Sequence, residues 1–204
     1  MKITNGTIAC VGWGSLIWNE EKKHLLPCRG EWRDDGPELP VEFARQSSNG
    51  SMTLVICQDV PRTRACWVVL DVPDMQTARE RLGKREHEKA PKHWITENIG
   101  YWTPSGEAYG HEAATIGAWA TAHGFVGVVW TNLPCKFGDE PNVMPSGDQV
   151  LGYLKGLDGE RRVEAERYVR NAPAQVDTPY RRMIAAKLGW DHVPCDVPAC
   201  RCKA

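Results

Sequence analysis

The sequence predicts a single α+β domain whose mixed β-sheet curls into a small barrel, with helices packed outside. Three observations carry this expectation. Strand-like segments dominate the first half of the chain and helical ones the second, an order that segregates sheet from helices. Of 204 residues, 42% are hydrophobic and 25% charged, which supplies one sizeable core, whereas two full domains would need a longer chain. No internal repeat or low-complexity linker interrupts residues 1–190; only 191–204 reads as a tail.

The elements follow from local chemistry. Thr7 to Val11 is a short apolar run ending at Gly12, the pattern of a buried strand entering a turn. Asp34 to Pro40 is rich in turn residues and precedes strand-like segments at Val41 to Ala44, Ser51 to Cys57 and Ala65 to Leu70, spaced as antiparallel neighbours. Asp74 is placed to cap a helix through Met75, Ala78 and Leu82 to about Glu88, closed by Pro91. A Trp94 to Tyr101 segment follows, then a helix from Glu112 to His123 stopped by Gly124, and a buried strand from Phe125 to Thr131. Helices are expected at about Asp148 to Leu157 and Glu160 to Asn171. A last one has Thr178 as N-cap, Pro179 at its first position and Tyr180, Ile184 and Leu188 along one face.

Charge excludes some partners. Lys and Arg total 25 against 26 Asp and Glu, so no positive excess awaits a nucleic acid. No stretch approaches the roughly 20 apolar residues of a membrane span, and the opening MKITNGTIACVGWG lacks the apolar core of a secretion signal. The expectation is a cytoplasmic protein whose eight cysteines stay reduced. The nine Trp residues are unusual, and because buried indole N–H groups need acceptors, some are expected beside a polar pocket.

Three constellations bear on chemistry. Gly12-Trp13-Gly14-Ser15-Leu16-Ile17-Trp18 is not a dinucleotide fingerprint, since Ile17 holds the third glycine position, nor a nucleophile elbow, since no glycine stands two residues after Ser15. It remains either a tight turn or a loop whose backbone N–H groups, with the Ser15 hydroxyl, converge on an anion. In the charged run Leu82 to Lys89, most residues read as a solvated helix face. Glu86, however, falls within about 20° of Met75 around the helix, beside Ala78 and Leu82 on the apolar stripe, while Glu80, His87 and Glu88 point elsewhere. Gly83 is a point at which that helix could stop short of Glu86. In the tail, His192, Cys195, Cys200 and Cys202 are ligand types, but their spacing departs from structural zinc sites, and no metal is assigned.

At these residues the chain resembles the gamma-glutamylcyclotransferase superfamily. Gly14-Ser15-Leu16-Ile17-Trp18 is similar to its Tyr-Gly-Ser-Leu-Ile-Trp substrate loop, closest to the glutathione-specific branch, and Leu82-Gly83-Lys84-Arg85-Glu86 to that branch's Leu-Asp-x-Arg-Glu stretch, which carries the catalytic glutamate. Pro145-Ser146 and Tyr153-Leu154 resemble the closing segment; Phe43, Arg45 and Ser47 loosely resemble a segment near the substrate. Trp13 stands where the family has Tyr, Gly83 replaces an Asp, and the Gly-Gly-Tyr that often follows the glutamate is absent. The resemblance spans about residues 8 to 190 and implies the fold of that superfamily for residues 1–190.

It also implies a small-molecule gamma-glutamyl substrate, cyclised to 5-oxoproline with release of an amine or amino acid. The substrate's own α-amine attacks its γ-carbonyl, so no cofactor is called for. Glu86 becomes the general acid/base, a role suited to a carboxylate in an apolar pocket, and Trp13, Gly14, Ser15, Leu16, Arg45 and Tyr153 become substrate-binding residues. A non-catalytic small-molecule binding or regulatory module of the same fold is the alternative. Glutathione, a gamma-glutamyl dipeptide and a gamma-glutamyl amine are all compatible substrates, and no oligomeric state is implied.

Overall fold

A computed structural model describes residues 6–193. Strand β1 (Ile8–Gly12) leads into a short helix α1 (Ser15–Trp18), a 3-10 helix (Glu20–Leu25) and β2 (Cys28–Arg33). Five strands follow: β3 (Glu38–Leu39), β4 (Val41–Gln46), β5 (Met52–Ile56), β6 (Thr63–Arg64) and β7 (Cys66–Leu70). Next come α2 (Met75–Glu86), α3 (Lys92–Asn98), β8 (Ile99–Trp102), β9 (Ala108–Tyr109), α4 (Ala113–Ala122) and β10 (Gly127–Thr131). The chain continues through β11 (Lys136–Phe137), β12 (Glu140–Pro141), α5 (Gly147–Lys155), α6 (Gly159–Asn171) and α7 (Pro179–Leu188).

The α+β class holds, but the strands do not close into a barrel. They form a six-stranded sheet in the order β2-β7-β1-β10-β8-β9, a four-stranded sheet β12-β11-β4-β5 and a β3-β6 ladder. The expected run of antiparallel neighbours breaks after β5, because β7 leaves that strand pair and binds β1 and β2 instead. On the other side of β1, β10 arrives parallel, which only a crossover connection allows; the chain between β7 and β10 provides it with α2, α3 and α4. Cys28 to Arg33 and Ile99 to Trp102, left out of the strand assignment from sequence, complete the larger sheet.

Strand β1 lies near the centre of that sheet, and both of its faces are buried. Ala9 and Val11 pack with Trp67, Val69, Val128 and Trp130 into the larger core, under Ile116 and Ala120 of α4 and the buried faces of α5, α6 and α7. Ile8 and Cys10 face the opposite way, with Val68, Leu70 and Val129, against Ala78 and Leu82 of α2 and Ile95 of α3. A strand covered on both sides has no polar alternation to show, so β1 reads as one unbroken apolar run.

Glu42 on β4 is fully buried, yet satisfied. Its carboxylate accepts from the Phe43 amide (2.8 Å), the Thr178 hydroxyl (2.5 Å) and the Tyr180 amide (3.1 Å). Thr178 caps α7, and Tyr180 lies in its first turn, so this carboxylate meets the positive end of the helix and fixes α7 to the sheet. Burial pushes its pKa up, while the three donors oppose the shift.

Among the described residues no helix is long and apolar enough to cross a membrane. Hydrogen bonding continues past the expected start of the tail. The Arg170 guanidinium donates to the Asp191 carbonyl (3.0 Å) and the Val193 amide to the Arg170 carbonyl (3.2 Å). Cys195, Cys200 and Cys202 lie outside the described residues.

Glu42→Gln should destabilise the fold, because either placement of the amide turns an NH2 group toward backbone or hydroxyl donors. A buried donor facing donors costs about 1–3 kcal/mol, or a melting temperature lower by several degrees. An unchanged melting curve would contradict this role for Glu42.

Candidate active site

Strand β1 delivers the Gly-rich turn from the middle of the sheet. Gly12 ends the pairing with β7, and the chain turns through Trp13 and Gly14 into α1. Trp13 is 3% exposed, and its indole Nε1 donates to the Leu54 carbonyl at 3.0 Å, tying the turn to β5. At Gly14 the requirement for glycine is steric: a Cβ there would collide with the Tyr168 hydroxyl. That hydroxyl, from the buried face of α6, accepts from the Leu54 amide at 3.2 Å, and the Ser15 backbone amide is also directed at it. Burial pushes the Tyr168 phenol's pKa up. A phenol oxygen used as an acceptor by the Leu54 amide keeps its own O–H to donate.

The glutamate arrives from the other side, on α2. Asp74 caps that helix by accepting from the Thr77 amide at 2.7 Å. The helix runs through Gly83 to Glu86 and stops at His87, whose amide reaches the Gly83 carbonyl at 2.8 Å. Gly83 is therefore no terminator. A Cβ on it would stand 2.7 Å from Ile95 Cγ1, so its bare face is what admits α3. Arg85 is buried and donates to the Ser15 carbonyl at 2.8 Å, locking the end of α2 to the turn after β1.

Glu86 is 18% exposed at its side chain, and Arg85 lies 4.0 Å from it. No donor among the described residues hydrogen-bonds to its carboxylate. Burial raises its pKa above the ordinary glutamate value, and the nearby charges of Arg85, Lys22 and Arg45 only partly offset this.

Trp13, Gly14, Ser15, Leu16, Arg45 and Glu86 line one cavity of about 350 Å³, although about 70 residues separate the turn from the glutamate. Ser47 joins them, whereas Phe43 belongs to the core. Tyr153 is not part of the lining. Its hydroxyl donates to the Gly50 carbonyl at 3.0 Å and its ring packs edge-on against Phe137. Arg45 donates to the Pro134 carbonyl at 2.9 Å, and the cost of burying its charge lowers its pKa. Lys136 of β11, in register with Arg45, is a second cation on the wall. Neither forms an ion pair among the described residues.

The lining residues missed from sequence include His87, Trp94, Lys136 and Tyr168. Helical phase sent His87 to another face, but it is the residue at which the helix ends, and leaving helical geometry sets it, still exposed, at the cavity rim against Trp94, with ring centroids 5.4 Å apart. Tyr168 follows Ala165 and precedes Val169 on the buried stripe of α6, a pattern that announces core and hides the polar tip. Lys136 carries no local signal; only strand pairing brings it beside Arg45. Trp13 and Trp94 meet the expectation that some of the Trp residues border a polar pocket.

Because folding raises the Glu86 pKa, its ionisation costs stability. The penalty is absent below the ordinary value of 4.5 and grows as pH rises through the shifted one. Glu86→Gln is therefore expected to melt at a higher temperature than wild type near neutral pH, with the gap closing below about pH 4. A difference that stays constant with pH would contradict the raised pKa. No protein-family model, curated protein or solved structure matches this chain in comparison with known proteins.

Proposed function

We propose that the cavity binds the γ-glutamyl end of a small molecule and cyclises it to 5-oxoproline, releasing an amine or amino acid, with Glu86 as general acid/base. The observation that carries this reading is the state of Glu86: a raised-pKa carboxylate facing a cavity, beside Arg45 and Lys136, where among the described residues no donor hydrogen-bonds to the carboxylate and neither cation has an ion-pair partner. A γ-glutamyl group supplies the complement. Its α-carboxylate suits Arg45 and Lys136, and its α-ammonium suits Glu86. The resemblance of the Gly14–Trp18 and Leu82–Glu86 segments to gamma-glutamylcyclotransferases points to the same chemistry and to that fold.

The reaction then follows from proton positions. Glu86 takes a proton from the α-ammonium, and the freed amine attacks the γ-carbonyl carbon to close a five-membered ring. Negative charge develops on the carbonyl oxygen, where the Tyr168 O–H and the Ser15 hydroxyl are the available donors. Protonated Glu86 gives its proton to the leaving nitrogen as the amide C–N bond breaks, and the second proton, shed by the ring nitrogen after attack, passes through Glu86 or solvent to the released amine, which departs as an ammonium ion. The nucleophile belongs to the substrate, so the protein supplies proximity, which can be worth roughly 7–11 kcal/mol in intramolecular reactions. Trp13, Gly14 and Leu16 shape the wall that holds the chain folded.

One observation favours a second reading, a binding module without catalysis. The Trp13 Nε1 is spent on Leu54 and the Ser15 amide is directed at Tyr168, so the turn offers fewer donors to an oxyanion than its glycines promise.

With a γ-glutamyl compound that yields 5-oxoproline, Glu86→Gln should lower kcat by roughly 10²–10⁴-fold with little change in KM. Glu80→Gln and Glu88→Gln should stay near wild type: Glu80 accepts from Gln76 at 3.0 Å, and Glu88 is exposed and outside the lining. Equal activity of all three variants would overturn the assignment, and tight binding without 5-oxoproline from any such compound would favour the second reading. Arg45→Met should raise KM. It should also move the acid limb of the rate profile to higher pH, since the lost positive charge was holding the Glu86 pKa down.

A further inference from the structure

A second cavity, of about 1090 Å³, is bordered by Glu42 of β4 and Ile56 of β5 and has a pair of cysteines in its wall. Cys57 follows β5, and its amide donates to the Pro40 carbonyl at 2.7 Å; Cys135 precedes β11, and its carbonyl accepts from the Asn142 amide at 2.9 Å. Backbone hydrogen bonds thus hold both residues, and their Sγ atoms lie 3.5 Å apart as thiols. The two are unequal. Cys57 is buried against Ala44 and Val55, whereas Cys135 is partly exposed on the cavity wall.

We propose that Cys57 and Cys135 form a thiol–disulfide exchange site that takes small-molecule disulfides from this cavity, with Cys135 as the attacking and Cys57 as the resolving thiol. The asymmetry of burial sets the roles: both sulfurs border the cavity, but Cys135 is the more exposed of the two, while the buried Cys57 lies against its sulfur. Electrostatics agrees with the geometry. The hydrogen bond between the two sulfurs, aided by the charge of Arg45, lowers the pKa of the Cys135 thiol against the cost of its burial, whereas the same hydrogen bond and burial push Cys57 up.

The step balances as follows. The Cys135 thiolate attacks one sulfur of a disulfide R–S–S–R; that S–S bond breaks, and one RS⁻ leaves and is protonated by solvent. Cys57 gives its proton to solvent and attacks Cys135 Sγ in the mixed disulfide, expelling the second RS⁻. The protein loses two electrons and two protons, and the small disulfide becomes two thiols. The cavity is wide enough to admit such a molecule, and Gln58, Arg62, His111 and Tyr180 on its walls offer polar groups to one. None of this depends on the chemistry at Glu86.

The test is redox titration of the full chain in glutathione buffers near neutral pH, followed by denaturing alkylation and peptide mass mapping. As oxidised glutathione increases, the peptides carrying Cys57 and Cys135 should leave the alkylated pool together as one cross-linked species, two hydrogens lighter and reversed by reductant. Cys10 and Cys28, whose pKa values burial pushes up, should remain alkylated. Cys57→Ala should trap a glutathione adduct on Cys135, while Cys135→Ala should leave Cys57 a thiol. Wild-type protein whose Cys57 and Cys135 stay alkylated in oxidising buffer, or in which either pairs with a different cysteine, overturns the proposal. So does equal glutathione capture by Cys57 in Cys135→Ala; if the variants do not fold, the wild-type map decides.

Discussion

The contact between the Tyr168 hydroxyl and Gly14 is the constraint on which the candidate site depends. The phenol oxygen occupies the space a side chain at position 14 would need, and it takes the amide hydrogen of Leu54 on β5, with the Ser15 amide of the turn after β1 directed at it. Three separate elements, α6, β5 and the turn before α1, are thereby held at one point. Arg85 adds a fourth by binding the Ser15 carbonyl from the end of α2. The turn is fixed from both sides, and the cavity lies between the two anchors. Because tightly packed protein does not deform cheaply, placing one of these partners largely places the others.

Two buried carboxylates show how the same side chain is put to opposite uses. Glu42 is surrounded by donors and sits at the positive end of α7, so its charge is consumed within the fold. Glu86 has burial without those donors, and its remaining exposure opens on the cavity. A desolvated, unsatisfied carboxylate costs stability, and such a cost is characteristic of groups positioned to exchange a proton with a ligand. Arg45 and Lys136 keep the surroundings positive enough to hold an anion, and Arg45 moderates the Glu86 pKa without pairing off its charge.

Much of this was legible from residue patterns because the signals are local. β1 and β10 announce themselves as apolar runs, α2 and α7 by their caps, and Glu86 by its phase on the buried stripe of α2. What was not legible depends on long-range pairing. β7 joins β1 instead of continuing the β4–β5 hairpin, so a sheet expected to close stays open. Gly83 looks like a helix stop by propensity, yet inside the fold it is the space into which Ile95 packs. Tyr168 and Lys136 reach the cavity only through tertiary structure, and Tyr153, selected by resemblance, lies instead against Phe137 and Gly50.

The central claim is that this cavity reads the α-amino-acid end of a γ-glutamyl group and uses its amine as the nucleophile. The most direct measurement is 5-oxoproline release by the wild-type protein from a panel of γ-glutamyl peptides and amines, alongside counterparts with an acetylated α-amine or an amidated α-carboxylate. The account predicts release from at least one parent compound. Acetylation should abolish it even where the compound still binds, and amidation should act mainly through a higher KM. Release that survives acetylation of the α-amine, or no 5-oxoproline from any parent compound, would contradict it.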